Sequence, residues 1–400
     1  MSVPSRAARN TDGLVVLALN SGSSSLKFGL YRASQDHTDL LMAGAVEAAG
    51  GGLRFSAQAP GEPSRPLEVL PSTQPSVFLA RIVDLLRSNG LPSPQAIGHR
   101  IVHGGASLRS HCRIDASVLS HLAAATPFAP LHMPPSLALI EGAQRRFPGL
   151  AQIACFDTAF HFCLPEVARV LPIPKAMRDE GIERYGFHGL SCSSVIAQLK
   201  VPPPRRLVIA HLGNGASVTA VLEGRSIDTS MGLTPSGGVV MGSRCGDLDP
   251  GVLLFLLRNR RYADEQLAAL VDHQGGLLAI SGLSSDMREL RRAAPNHAGA
   301  RLAIEVFCYS VRKHIAAMIA ALGGIDHLVF TGGIGEHDAD SRAMICAGLV
   351  WCGVRLDLER NRAAHNPISA ERATCTVQVL TAQEDAQIAQ QAYTLLQGGA

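Results

Sequence analysis

Short apolar runs that open onto turns of small polar residues recur along this chain. Leu14-Val-Val-Leu-Ala-Leu19 is apolar throughout and rich in branched side chains, which predicts a buried strand, and the alternation Leu26, Phe28, Leu30 predicts its hairpin partner, with Lys27 facing away from the core. Gly50 to Pro75 turns to Gly, Pro, Ser and Glu and reads as exposed connections and turns. Val77 to Leu86 carries apolar residues at helical spacing and stops near Gly90 and Pro92. Ala96 to Gly105 reads as a strand entering a glycine-rich loop, and Gln152 to Phe156 as another buried strand with Asp157 just past its end. That position is where open α/β sheets place their chemistry. Arg206 to Gly215, Ser217 to Val221, the turn Glu223-Gly224 and Ile227 to Thr229 then repeat the opening device of strand, turn, strand. Gly22 and Gly215 stand 215 − 22 = 193 residues apart, close to half the chain, which points to duplication of one strand-hairpin unit. A third strand-to-glycine step, His327-Leu-Val-Phe-Thr331 into Gly332-Gly-Ile-Gly-Glu336, follows a helical pattern from Leu302 to Leu322, with Asp338 or Asp340 placed to cap the next helix.

Turns of this composition suit a phosphate. In Asn20-Ser-Gly-Ser-Ser-Ser-Leu-Lys27 a glycine lets the main chain approach, hydroxyls and N–H groups donate, and a lysine brings charge; one such turn is equally a plain hairpin. Three of them after apolar strands favour a nucleotide held between two lobes. Neither a Gly-x-x-x-x-Gly-Lys-Ser/Thr string nor a clear Gly-x-Gly-x-x-Gly string occurs, so the site is of another type. His99 and His103 have a spacing that would pair metal ligands on a helix, but Ile101, Val102 and Gly104-Gly105 favour extended chain, which separates the rings by about 13 Å. They read as structural. Arg100 and Arg244 sit beside glycines, where a guanidinium can grip an anion as readily as it can face solvent. Asp157, heading Asp157-Thr-Ala-Phe-His161, serves a helix cap as well as a catalyst.

Four hundred residues with 46% hydrophobic content make two domains the prior. A net charge of +3, from 36 basic and 33 acidic residues without long single-sign blocks, argues against a nucleic-acid or membrane-surface footprint. Nine cysteines without a Cys-x-x-Cys pair suggest neither a disulfide framework nor a thiolate zinc site, and hence a reducing compartment. Residues 1–13 lack an apolar core and read as a flexible tail without a signal peptide. No run approaches the ~18 apolar residues of a membrane span, so a soluble, cytoplasmic protein is expected.

Taken together, ten strings resemble the acetokinase family in content and order: Asn20 to Lys27, Gly98-His-Arg-Ile-Val-His-Gly-Gly105, Ala129-Pro-Leu-His132, Phe156 to His161, Arg184-Tyr-Gly-Phe-His-Gly189, His211-Leu-Gly-Asn-Gly215, Thr229-Ser-Met-Gly-Leu-Thr-Pro235, Met241-Gly-Ser-Arg244, Ser284-Ser-Asp-Met-Arg288 and Gly333-Ile-Gly-Glu336. The resemblance runs from Leu14 to the end of the chain. It implies an α/β fold of duplicated ribonuclease H-like (actin-like ATPase) type, with two lobes around a nucleotide cleft: residues 14–160 with 386–400, and 161–385. It also implies reversible transfer of the ATP γ-phosphoryl group to acetate, giving acetyl phosphate and ADP, with Mg2+ or Mn2+, in a homodimer.

Carried over by position, Asp157, His188 and Arg244 are catalytic, and Asn20 and Glu384 serve the metal. Arg100 takes the acetate carboxylate beside His132, and Val102, Leu131, Phe187 and Pro235 form the methyl pocket. Lys27, His211, Leu212, Gly213, Asn214, Gly215, Asp286, Met287, Arg288, Gly333, Ile334, Gly335, Glu336 and His337 hold the nucleotide. Two unit charges 4 Å apart repel by about 4 kcal/mol at an effective dielectric near 20, so bringing acetate to a γ-phosphate demands cations. A carboxylate is already ionised at neutral pH, which leaves Asp157 to orient a cation or hydrated metal and gives it no nucleophile to deprotonate. The chain departs from the family pattern at Met133, Pro135, Leu190, Cys192, Ser236-Gly237 and His337, the last beside the expected nucleotide. Thr381-Ala-Gln-Glu-Asp385 offers two carboxylates, and the register set by Ile388-Ala389 selects Glu384. A propionate or other short-chain carboxylate kinase is the alternative within the fold. An actin-like nucleotide-gated binding or filament protein is the alternative from another class; it would share the fold but needs no carboxylate site, and Arg100, His132, Asp157, His188 and Arg244 argue against it.

Overall fold

Leu17 faces Leu30 and Leu19 faces Phe28 across an antiparallel hairpin whose first strand is buried on both faces from Val15 to Asn20, with Asn20 opposite an exposed Lys27. These strands are β1 (Leu14–Ser21) and β2 (Ser25–Ala33), in a computed structural model that describes residues 13–22, 25–49, 52–61, 68–199 and 201–398. The proposed tail to residue 12, and Ser23 and Ser24 of the serine turn, lie outside the described residues. The chain divides into two units, Met1–Phe156 with Glu384–Ala400, and Asp157–Gln383. Asp157 therefore goes with the second unit, and Glu384 and Asp385 with the first.

The first unit is built on one eight-stranded sheet. β3 (Thr38–Ala49), β4 (Gly52–Gln58) and β5 (Glu68–Leu70) extend the hairpin antiparallel on one side; β6 (Ala96–Ile101) and β8 (Ala151–Phe156) continue it parallel on the other, where β7 (Cys112–Arg113) closes the edge. The stretch read as connections thus holds β4 and β5. Its Leu53, Phe55 and Ala57 alternate into the core, a signal masked by the surrounding glycine and proline. Helices Pro75–Ser88 and Met133–Arg146 cover one face, where Phe78, Leu79, Ile82 and Leu139 pack with Leu17, Leu19, Phe28 and Phe55. Helix Glu384–Gln397 packs on β1, β2 and β6 across the other face, close enough that a Cβ on Gly98 would lie 2.4 Å from the Ile388 side chain.

The second unit has a five-stranded sheet of β9 (Arg206–Leu212), β10 (Ala216–Leu222), β11 (Arg225–Thr229), β12 (His327–Thr331) and β13 (Thr376–Val379). Its order, β11-β10-β9-β12-β13, reproduces β3-β2-β1-β6-β8, and the pairing senses match step for step: two antiparallel contacts, then two parallel. The duplication read from the 193-residue offset is the duplication of this sheet. Helix Ala298–Leu322 lies on β9 to β11, while Cys192 and Val195 of helix Gly189–Gln198 pack with Leu207, Ile209, Val221 and Val329. Among the described residues no helix is long and apolar enough to cross a membrane.

Candidate active site

Chemistry-bearing residues gather at the carboxyl ends of the parallel strands, where main-chain groups beyond the last ladder bond face outward. In the first unit Asn20 ends β1, Arg100 and Val102 stand at the end of β6, and Asp157 follows β8. Asn20 is buried, and its Nδ2 donates to Glu384 Oε2 at 3.1 Å and to Asp385 Oδ1 at 2.7 Å. Both carboxylates of the ambiguous string therefore reach Asn20; sequence register had singled out one. Burial raises the Asp385 carboxyl above the ordinary range, and its neighbour Glu384 raises it further, while the Asn20 amide and the Lys27 and Arg100 charges pull the other way. Two adjacent carboxylates supply the hard oxygen donors that Mg2+ or Mn2+ favours. Arg100 Nη1 donates to Ser21 O at 3.1 Å, tying the guanidinium to the end of β1.

Val102 is buried, Leu131 is half exposed, and His132 stands at the start of helix Met133–Arg146, where its carbonyl accepts from Ser136 Oγ at 2.9 Å. His99 and His103 are structural. His99 Nε2 meets Gln152 Oε1 at 2.8 Å, and His103 Nδ1 accepts from Gly105 N at 2.8 Å while its ring stacks on Phe128.

The second unit assembles the other residues around one pair of rings. His188 has a left-handed main chain (φ 58°, ψ 26°) at the start of helix Gly189–Gln198, a conformation costly for a residue with a Cβ and held here by its neighbours. Gly189 N donates to Asp157 O at 2.8 Å, and a Cβ on Gly189 would lie 2.2 Å from that oxygen, so only glycine lets this helix start against Asp157. The His188 ring stacks on His211 with centroids 4.1 Å apart. Two imidazolium charges at that spacing would repel by about 4 kcal/mol at an effective dielectric near 20, which disfavours charging both rings at once. Ser217 Oγ lies 2.9 Å from His188 Nδ1, and Ser191 Oγ 2.8 Å from His211 Nδ1. A Cβ on Gly215 would sit 3.4 Å from His188 Nε2 and 3.5 Å from Arg244 Nη1. The two groups meet over that glycine.

Arg244 is carried by a loop whose carbonyls are taken up by a helix start: Gly275 N, Leu277 N and Leu278 N donate to Ser243 O, Met241 O and Gly242 O at 2.9 to 3.0 Å. Its Nη1 also donates to Pro235 O at 3.2 Å. The loop closes through Asp247, which accepts from Gly238 N at 2.8 Å and meets His314 Nε2 at 3.3 Å, the His314 contact holding its carboxyl below the usual range. Phe187 is buried and its carbonyl meets His161 Nε2 at 2.9 Å.

Of the residues expected at the nucleotide, Leu212 is buried, Gly213 N donates to Gly215 O at 3.0 Å, and Asn214 O accepts from Gly242 N at 3.0 Å. The glycines after β12 form the helix Gly332–His337, entered through Gly332 at φ 77°, where the expectation was a turn. Its Gly333 and His337 are exposed and Gly335 is buried, and Glu336 Oε1 accepts from Gly332 N at 3.1 Å and Ala382 N at 2.9 Å. Asp338 caps the following helix, accepting from Ser341 N at 3.0 Å. The fully buried Arg342 holds the far end of Gly332–His337, donating to Gly335 O at 2.8 Å and Glu336 O at 2.9 Å. Asp286 caps helix Met287–Ala293 and grips Arg288, which keeps its carboxyl below the usual range; Met287 is buried beneath. The four residues expected around the acyl methyl group fall two in each unit, Val102 and Leu131 in one, Phe187 and Pro235 in the other.

Sequence reasoning did not single out Ser191, Ser217, Asp247 or Arg342. Each acts on a residue brought near by folding, and the one available signal was their place just beyond recognised strings, which end at Gly189, Gly215, Arg244 and Glu336.

The chain matches the acetokinase family over residues 15–390. It is 39% identical over 397 residues to an acetate kinase of Rhodopseudomonas palustris (strain TIE-1), covering 96% of this chain and 99% of that one. Among solved structures it resembles Porphyromonas gingivalis acetate kinase (TM-score 0.84, 33% identity, 96% of this chain and 100% of that one) and a propionate kinase from Francisella tularensis subsp. tularensis SCHU S4 (TM-score 0.86, 35% identity, with the same coverage).

Proposed function

The chain belongs to the acetokinase family, and from that premise we propose how its residues divide one phosphoryl transfer among them. Its reaction is that of an acetate kinase, moving the γ-phosphoryl group reversibly between ATP and acetate. The observation that carries the assignment of roles is the approach of His188 Nε2 and Arg244 Nη1 to the same point above Gly215. Donors so placed stabilise the charge that spreads over the equatorial oxygens in transfer. Arg100, with His132, holds the acetate carboxylate; Val102, Leu131, Phe187 and Pro235 limit the acyl chain. Lys27 and the turns at His211 to Gly215, Asp286 to Arg288 and Gly333 to His337 hold the nucleotide, with His211 turned to its phosphates. Asn20, Glu384 and Asp385 would hold Mg2+ or Mn2+, which supplies charge neutralisation at the phosphates. Asp157 orients a cation, because acetate brings its own ionised nucleophile.

The enzyme works as a cytoplasmic homodimer in this reading. Helix Pro250–Asn259 buries none of its residues and exposes Val252, Leu254, Phe255 and Leu257, the kind of apolar surface a second copy covers. The propionate kinase of Francisella tularensis keeps a second acid in view. A pocket discriminates one methylene by only about 1–3 kcal/mol, so propionate should be turned over more slowly than acetate without being excluded. A hydroxamate assay with acetate, propionate and butyrate against ATP, GTP and pyrophosphate tests this. Acetate with ATP is expected to be fastest, and activity with none of the three acids would sink the assignment.

A further inference from the structure

The stacked rings of the second unit are braced crosswise. His188 begins helix Gly189–Gln198 and meets Ser217 of strand β10, while His211 of strand β9 meets Ser191 of that helix. We propose that Ser191 and Ser217 are positioning residues that set the tautomer of the pair: each hydroxyl donates to Nδ1, so that both neutral rings carry their proton on Nε2 and present it to phosphoryl oxygens. The proposal rests on the reading of His188 and His211 as phosphoryl-facing groups.

The geometry separates the two nitrogens of each ring. Every Nδ1 lies against a serine, and both serines are buried, Ser191 at 0% and Ser217 at 1% exposure, so bulk water does not compete for the bond. Every Nε2 lies against glycine. That of His188 comes 3.4 Å from a Cβ built on Gly215; that of His211 comes 3.1 Å from one on Gly332 and 3.9 Å from one on Gly213. Glycine at these points leaves the space a bound phosphate would fill. An imidazole nitrogen facing an anionic oxygen must donate, and a neutral ring has one proton to give, so Nδ1 must accept. Protonating both nitrogens would serve as well in principle. Here the 4.1 Å stack sets the two rings against each other as charges, and the guanidinium of Arg244 shares the Gly215 position with His188. A hydroxyl is the partner that resolves this, since it donates to Nδ1 without bringing the negative charge that would draw a second proton onto the ring.

The test uses the full-length enzyme labelled with 15N histidine, the two rings assigned through His188→Gln and His211→Gln. At neutral pH each ring is expected to show an unprotonated Nδ1 and a protonated Nε2. Ser217→Ala should shift the tautomer balance of His188 and Ser191→Ala that of His211, each lowering kcat by roughly ten- to a hundredfold, as loss of an orienting partner does at other sites, while KM for acetate moves by less than about threefold. Ser217→Thr, which keeps the hydroxyl, should restore most of kcat. A proton on Nδ1 in the wild-type enzyme would overturn the proposal, and so would alanine variants whose tautomers and kcat stay unchanged. Full activity of both glutamine variants would instead overturn the phosphoryl-facing reading, and the proposal with it, whatever the tautomers.

Discussion

His99, His111 and His161 enter the fold as neutral rings, because burial pushes each pKa from 6.5 down to about 4. The His111 bond needs that state, its Nδ1 accepting from Phe156 N at 3.0 Å; His161 joins Ser226 Oγ to the Phe187 carbonyl, a bond that favours the proton and is outweighed by burial. Between pH 6.5 and about 4 the unfolded chain takes up these protons while the folded chain refuses them. Stability is therefore complete above the unfolded value and falls as the pH drops through this window. The loss per ring is of order 3 kcal/mol over the full span. Equilibrium denaturation at several pH values from neutral to 4.5 should show the fall, and His99→Gln should make it shallower; stability independent of pH would contradict the neutral assignment. The structural standing of His99 and His103 was legible in sequence, since extended chain throws such rings apart. The crossed serines were not. Ser191 and His211 are 20 residues apart, Ser217 and His188 29, and only the packing of helix on hairpin brings them together.

Among the elements, the loop that carries Arg244 and the helix Gly276–Ser281 form one piece. Gly276 has φ 62°, and a Cβ there would lie 2.2 Å from Met241 O and 2.7 Å from Arg244 O. Gly276→Ala combines a disfavoured main chain with a steric collision. It should cost about 2 kcal/mol or more in stability and, by displacing Arg244, lower kcat at least tenfold, measured by thermal unfolding and steady-state kinetics. Wild-type kcat in a destabilised variant would show that the loop does not set Arg244. Strands β1, β6, β8, β9, β10 and β12 were readable as short runs rich in apolar residues beside a turn, and β2 from its alternation of Leu26, Phe28 and Leu30. The strands β4 and β5 were hidden by composition, and the helix Gly332–His337 by its glycines, which look like a turn until Arg342 and Glu336 are seen pinning both ends.

For the whole molecule the sequence carried the architecture further than the site. Equal strand order and equal pairing sense in two sheets followed from one 193-residue offset, whereas the brace around His188 and the pairing of Asp385 with Asn20 depend on contacts no periodicity encodes. The proposed homodimer predicts that the wild-type chain sediments as a dimer and that Phe255→Asp, on the exposed face of helix Pro250–Asn259, sediments as a monomer with its circular dichroism spectrum retained; a wild-type monomer would overturn the dimer, and a dimeric variant would place the contact elsewhere. A last consequence comes from the helix Glu384–Gln397, which lies over Gly98 and accepts the Cys155 thiol at Ile388 O. The strands it covers are translated before the entire second unit, and the helix after it. During synthesis the first sheet emerges with one face bare, while the second unit, contiguous in sequence, can close at once. The half of the molecule made first is thus completed after the other, and the same event that covers its bare face delivers Glu384 and Asp385 to Asn20. A nascent chain halted before residue 384 would carry an exposed apolar surface and lack the two carboxylates proposed for the metal, so chaperone capture and inactivity would end together when that helix docks.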